Sequence, residues 1–275
     1  MCIGTPDGAL DPVGGLIGRV TSTARAASAD VVAGLAWRAL APHFKLGSGI
    51  RIKVTCDSEW VVYNDIFVDE EYDGPIRDTI AHGDPATPLQ FLDLGANVGF
   101  FALRVAHLIA LNAPHAPYRI TMVEGSPSNF QTLGQRLREQ PALEGRYRCA
   151  NGLVGRRSGA GRIREPRFHG ASSVVTQPGV TGRPVAYIDL EQLLGPECSS
   201  IHLLKCDVEG SEQEFIENYG TLLERVERAV FEFHHERCDV GTCLRRLATA
   251  GLRNHRRMRS FQDMLGLRSI EYVWR

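Results

Sequence analysis

The chain has 275 residues, 43% of them hydrophobic and 23% charged, enough to bury a core without disulfide or metal staples. Its 31 basic and 32 acidic side chains leave a net charge of −1, which excludes a broad electrostatic surface for nucleic acid or anionic membrane. Seven cysteines lie scattered without C-x-x-C spacing, the pattern of reduced thiols in the cytoplasm, and no apolar run reaches the roughly 18 residues of a membrane span. The first dozen residues, rich in Gly, Pro and Asp, lack the basic-then-apolar order of a secretory signal. From about residue 15 to 43, Val31, Val32, Leu35, Ala36 and Leu40 recur at three- and four-residue spacing and predict a helix. Ile50, Ile52 and Val54 then alternate with Arg51, Lys53 and Thr55 before the turn residues Asp57 and Ser58, so residues 50–64 read as a β-hairpin. Residues 1–85 are assigned to an N-terminal helix/hairpin cap and residues 86–275 to the main domain.

Beyond residue 86, strand and helix signals alternate. Strands are expected from Leu89, from Tyr118, and near 147–153, 201–206 and 229–233. Helices are expected at 102–111, 128–139, 189–195, 211–224 and 240–250. This alternation predicts an α/β fold, a doubly wound and mostly parallel sheet with helices on both faces. No helix fits between 253 and 275, so the last two strands are expected to form an antiparallel hairpin. The Arg-rich run 253–260 reads as its solvated face.

The segment FLDLGANVGFF carries the chemistry. Gly95 and Gly99 permit a sharp strand-to-helix turn and close approach of a ligand, and Asp93 stands at the carboxyl end of the strand, where open α/β sheets bind ligands. Asn97 breaks the dinucleotide pattern G-x-G-x-x-G, and a carboxylate at Asp93 suits an amine better than a pyrophosphate. The next strand, YRITMVEG, ends in Glu124, placed to receive a pair of ribose hydroxyls.

DLGANVG, VEGSPSNFQTL, LLKCDVEGSEQEFI and the earlier YNDIFVDEEY together resemble the FkbM family of S-adenosylmethionine-dependent methyltransferases, over about residues 57–236. The resemblance implies a Rossmann-like class I methyltransferase with a seven-stranded sheet in the order 3-2-1-4-5-7-6 and S-adenosylmethionine as cofactor. It places Gly95, Asn97 and Gly99 at the methionine part, Glu124 at the ribose and Asn151 near the adenine, with Asp93, Gly125, Ser126 and Asp207 also binding the cofactor and Tyr72 of the cap closing on it. It further implies O-methylation of a small-molecule hydroxyl of the sugar, polyketide or other secondary-metabolite kind. N-methylation of an amino-acid or peptide-like substrate is the alternative, as is a silent cofactor-binding subunit.

The later strands add acids and histidines. HLLKCDVEGSE places Asp207 and Glu209 past the fourth strand, and RAVFEFHHE places Glu232, His234 and His235 at the tip of the fifth, so the two tips face one crevice. Alternation along the strand turns Glu232 and His234 together and His235 away. Two chemistries fit: His234 as a neutral general base, or Asp207 with Glu232 holding Mg²⁺. Metal-free chemistry is preferred here, because two acids make a minimal oxygen shell. A zinc site from His234, His235, Cys238 and Cys243 matches no standard spacing. Glu212 and Glu214 read as first-turn helix acids.

Overall fold

The computed structural model describes residues 42–164, 173–174, 182–263 and 266–275. The helix expected over residues 15–43 lies outside these except at its end. The cap starts with β1 (His43–Lys45), which pairs antiparallel with β2 (Arg51–Lys53) and sets Phe44 opposite Ile52. The alternation therefore holds, with Ile50, Ile52 and Val54 buried, but the partner strand precedes it instead of following. Residues 57–64 correct the hairpin expectation: Asp57–Tyr63 is a helix, α1, continued by a π-helical turn, Asn64–Val68.

The reason lies in spacings of three and four that outweigh the apolar alternation. Trp60, Tyr63 and Phe67 stack in series at 5.5 and 5.3 Å, which a helix permits and a strand forbids. Glu59 closes the first turn by accepting the Thr55 N–H at 2.7 Å, and it pairs with buried Arg136 at 3.1 Å. Helix α2 (Asp73–His82) follows, and Arg104 grips Asp73 through two hydrogen bonds of 2.6 Å.

The main sheet opens with β3 (Leu89–Leu94), α3 (Phe100–Asn112), β4 (Tyr118–Glu124), α4 (Pro127–Arg138) and β5 (Tyr147–Asn151). Helix α3 is buried from Phe100 to Ile109 because the cap covers the side turned away from the sheet. Helix α4 starts where its sequence specifies, with Ser126 accepting the Asn129 N–H and Pro127 in the first turn. Between the third and fourth main strands lies a small antiparallel sheet that periodicity did not reveal. It consists of β6 (Ala160–Arg164), β7 (Ser173–Val174) and β8 (Arg183–Ala186), in the order β7-β6-β8.

After α5 (Leu190–Leu194) come β9 (Leu203–Cys206), α6 (Glu212–Asn218), α7 (Gly220–Leu223), β10 (Arg228–His234), α8 (Val240–Thr249), β11 (Asn254–Asp263) and β12 (Gly266–Trp274). The seven main strands lie in the order β5-β4-β3-β9-β10-β12-β11, with β12 antiparallel to both neighbours. Numbered along the chain this is 3-2-1-4-5-7-6, as expected, with a terminal hairpin. The chain reverses its direction of progress across the sheet between β3 and β9, so their carboxyl ends splay and leave a crevice. Arg256, Arg257 and Arg259 are exposed along β11; Arg257 and Arg259 pair with Glu271 and with Asp65 and Glu71. No helix among the described residues is long and apolar enough to cross a membrane.

Candidate active site

The loop after β3 is shaped by the crevice it borders. Gly95 has φ 79°, and a Cβ there would stand 1.7 Å from the Asp207 carbonyl oxygen, so only glycine lets the β3 and β9 loops meet. Asn97 also takes a left-handed conformation, φ 51°, which turns its N–H onto Glu124 Oε2 at 2.7 Å. The Ser126 N–H reaches Glu124 Oε1, also at 2.7 Å. Burial raises the Glu124 carboxyl to about 7, and these two N–H donors oppose the rise. Each carboxylate oxygen retains a lone pair for a further donor.

A cleft open to solvent runs past these groups. One end is apolar, with Leu153, Val154 and Ile163; the middle holds Gly95, Asn97, Glu124 and Gly125; the other end holds Asp207 and Glu209. Asn97 Oδ1 and Asp207 Oδ1 are buried without a hydrogen-bond partner among the described residues. A flat apolar wall, a carboxylate with two open lone pairs and two unsatisfied acceptors suit a nucleoside carrying an amino group.

Several expected cofactor residues stand behind this lining instead of in it. Asp93 is fully buried, 3.4 Å from Lys205, so it does not face a ligand amine. Gly99 starts α3 and packs against Leu133, and Ser126 caps α4. Asn151 donates to the carbonyls of Glu124 and Gly125 at 2.8 and 3.2 Å, which ties the β4 and β5 ends together beside the apolar wall. Tyr72 is buried edge-on against Phe101, its ring centre 5.4 Å away.

Beyond the nucleoside end lies a dense set of charges. Lys205 Nζ donates to the Gly95 carbonyl at 2.7 Å and sits 3.6 Å from Asp207 Oδ2. Burial alone would lower its pKa, but Asp93, Asp207 and Glu232 outweigh burial and raise it. Arg268 Nη1 donates to Glu232 Oε1 at 2.9 Å, and its Nη2 lies 3.7 Å from Glu209 Oε2. Burial, reinforced by Asp207, lifts Glu232 to about 8, and burial likewise raises Glu209. Glu209 itself has φ 53°, a left-handed backbone that a carboxylate side chain does not favour.

His234 corrects the sequence expectation of a neutral base. Its Nδ1 lies 3.0 Å from Glu212 Oε1 and its Nε2 lies 3.1 Å from Glu209 Oε2. Burial would lower its pKa, but the two carboxylates raise it to about 11, so the imidazole is protonated at neutral pH and has no lone pair to accept a proton. His235 turns away as expected, 2.9 Å from Ser269 Oγ. Glu212 does more than a first-turn acid: fully buried, it accepts the N–H groups of Val208 and Gly210 and the Cys238 thiol besides facing His234. Lys205 and Arg268 have no counterpart among the sequence-derived site residues. The available signal for Lys205 was a rare lysine, one of three in the chain, set inside the apolar strand LLKC.

A doubly wound sheet in this strand order, with an open cleft at its switch point, is the class I methyltransferase fold. The family model described as "Methyltransferase FkbM domain" matches residues 93–268, well over half the chain, and the chain belongs to the FkbM methyltransferase family. Membership implies S-adenosylmethionine as the methyl donor. Among solved structures, methyltransferase FkbM from Methylobacillus flagellatus KT aligns at 14% identity and a TM-score of 0.47, covering 68% of this chain and 44% of that one. The METTL16 MTase domain aligns at 14% identity and 0.46, covering 84% and 85%. WbdD aligns at 15% and 0.44, covering 78% and 42%, so this chain spans under half the length of two of these three proteins. No curated protein matches the chain.

Proposed function

We propose that the chain transfers a methyl group from S-adenosylmethionine to a hydroxyl of a small molecule held at the carboxylate end of the cleft. The observation that carries this is that Asp207 and Glu209 line the same cleft as Glu124, so an acceptor at the acids adjoins a nucleoside at Glu124. When bound, S-adenosylmethionine supplies an electrophilic methyl carbon on a cationic sulfur.

Within that arrangement Glu124 receives the ribose hydroxyls, and Leu153, Val154 and Ile163 cover the face of the base. Asn97 Oδ1 accepts from the amino group. A hydroxyl with a pKa well above 7 must lose its proton as the new bond forms. Glu209 is the candidate to take it, because it lines the cleft and burial raises its basicity above that of a free carboxylate. Protonated His234 and Arg268 hold Glu209 in place and stabilise its charge. The excess of carboxylates also disfavours a phosphodiester acceptor, in keeping with a small polar alcohol and not a nucleic acid.

The test is transfer of labelled methyl to a panel of sugar glycosides, polyols and primary amines. Label is expected in a base-stable methyl ether. Glu209→Gln should lower kcat by about 10²–10⁴ while leaving S-adenosylhomocysteine affinity within about twofold. Transfer confined to the amines, or an undiminished kcat in Glu209→Gln, overturns the proposal.

A further inference from the structure

The carboxylate end of the cleft contains a ligand set that proton transfer does not use. Asp207, Glu232 and His234 bring one ligand atom each within 4.8 Å of the others, and among the described residues no other three His, Cys, Asp or Glu side chains converge in this way. Donor atoms around one ion at about 2.0–2.2 Å stand about 3–4.4 Å apart, so side-chain shifts on the order of an ångström close the set.

The second coordination layer is already built. His234 is only 7% exposed, and its Nδ1 faces Glu212 Oε1 at 3.0 Å, a carboxylate that is itself fully buried and fixed by two backbone N–H groups. A carboxylate on one imidazole nitrogen is the arrangement that orients the other nitrogen toward a metal. That other nitrogen, Nε2, faces Glu209 Oε2 at 3.1 Å, the contact that an entering ion replaces.

The cations nearby occupy the opposite oxygens. Lys205 approaches Asp207 Oδ2, which leaves Oδ1 buried and without a hydrogen bond. Arg268 takes Glu232 Oε1, which leaves Oε2. Two carboxylate oxygens and one imidazole nitrogen, with no thiolate, suit a hard to borderline ion and leave coordination positions for water and an alcohol.

We infer that Asp207, Glu232 and His234 bind one divalent cation of the Mg²⁺/Mn²⁺ class at the acceptor end of the cleft, the ion displacing to solvent the Nε2 proton that His234 carries without it. The inference rests on the proposed transfer to a hydroxyl, because the ion would acidify and orient that hydroxyl while Glu209 takes its proton.

The site is tested on the full chain, freed of metal by chelation and titrated with Mn²⁺ in the absence of donor and acceptor. Paramagnetic resonance should show one saturable ion per chain, with the modulation of a directly bound imidazole nitrogen. His234→Gln should abolish that nitrogen signature, and Asp207→Asn, at the more exposed ligand, should weaken Mn²⁺ at least tenfold. Glu212→Gln should weaken it about 10–100-fold through His234. Glu124→Gln, at the nucleoside end, should leave Mn²⁺ affinity unchanged. Absence of saturable binding, or a nitrogen signature that survives in folded His234→Gln, overturns the inference. Hydroxyl methylation without Mn²⁺ binding would remove only the ion. Mn²⁺ binding without transfer to any alcohol would remove the proposed reaction and leave the site.

Discussion

Lys205→Met tests the charge core of the site most directly. Lys205 is 6% exposed, and it is the cation facing Asp93, whose two oxygens have no hydrogen bond among the described residues. Removing it leaves a fully buried carboxylate uncompensated, which costs about 3–5 kcal/mol in comparable buried pairs. Asp93 relieves part of that cost by taking up a proton, since burial already raises its pKa with Lys205 opposing the rise. The direction with pH follows. A carboxyl whose folded pKa exceeds its unfolded value loses stability as pH rises between the two, so the Lys205→Met deficit should be smaller at pH 5 than at pH 8. The double variant Lys205→Met/Asp93→Leu replaces the pair with apolar groups and should recover most of the loss, because apolar replacement of a buried pair is often neutral. Urea unfolding of the four proteins at both pH values gives the coupling energy. A Lys205→Met loss under about 1 kcal/mol, or a double variant no more stable than Lys205→Met, would refute this account.

Two further outcomes concern the donor cleft. Glu124 sits at about 7 and accepts ribose hydroxyls best when ionised, so S-adenosylhomocysteine affinity measured by calorimetry should rise from pH 6 to pH 8; Glu124→Gln should lie at least roughly tenfold weaker and lose that rise. Gly95→Ala would set a Cβ 1.7 Å from the Asp207 carbonyl oxygen on a φ of 79°, and it should abolish donor binding and lower the midpoint of thermal unfolding even though it adds one methyl group.

The sheet and the nucleoside end of the site were legible in the chain itself. Alternating strand and helix periods specify a doubly wound sheet, and a strand tip followed by Gly95, Asn97 and Gly99 specifies where its crevice opens, because those features depend on near neighbours along the backbone. Glu124 was legible for the same reason, as the last residue of the second strand. Residues 57–64 were misread because Val61 and Val62 suit a strand, and only contact with Phe44, Phe100 and Arg136 selects the helical spacing of Trp60 and Tyr63. The charge network was decided by tertiary structure alone. Asp93, Lys205, Glu212 and Arg268 lie on four separate elements, and whether a carboxylate faces solvent, a lysine or a histidine is set when those elements pack. His234 is the clearest instance: the strand pattern points it toward the crevice, but its protonation is fixed by Glu209 and Glu212, which reach it across the chain from the β9–α6 loop and the start of α6. Sequence spacing carries direction along an element, whereas pKa depends on distances between elements, and folding alone establishes those distances.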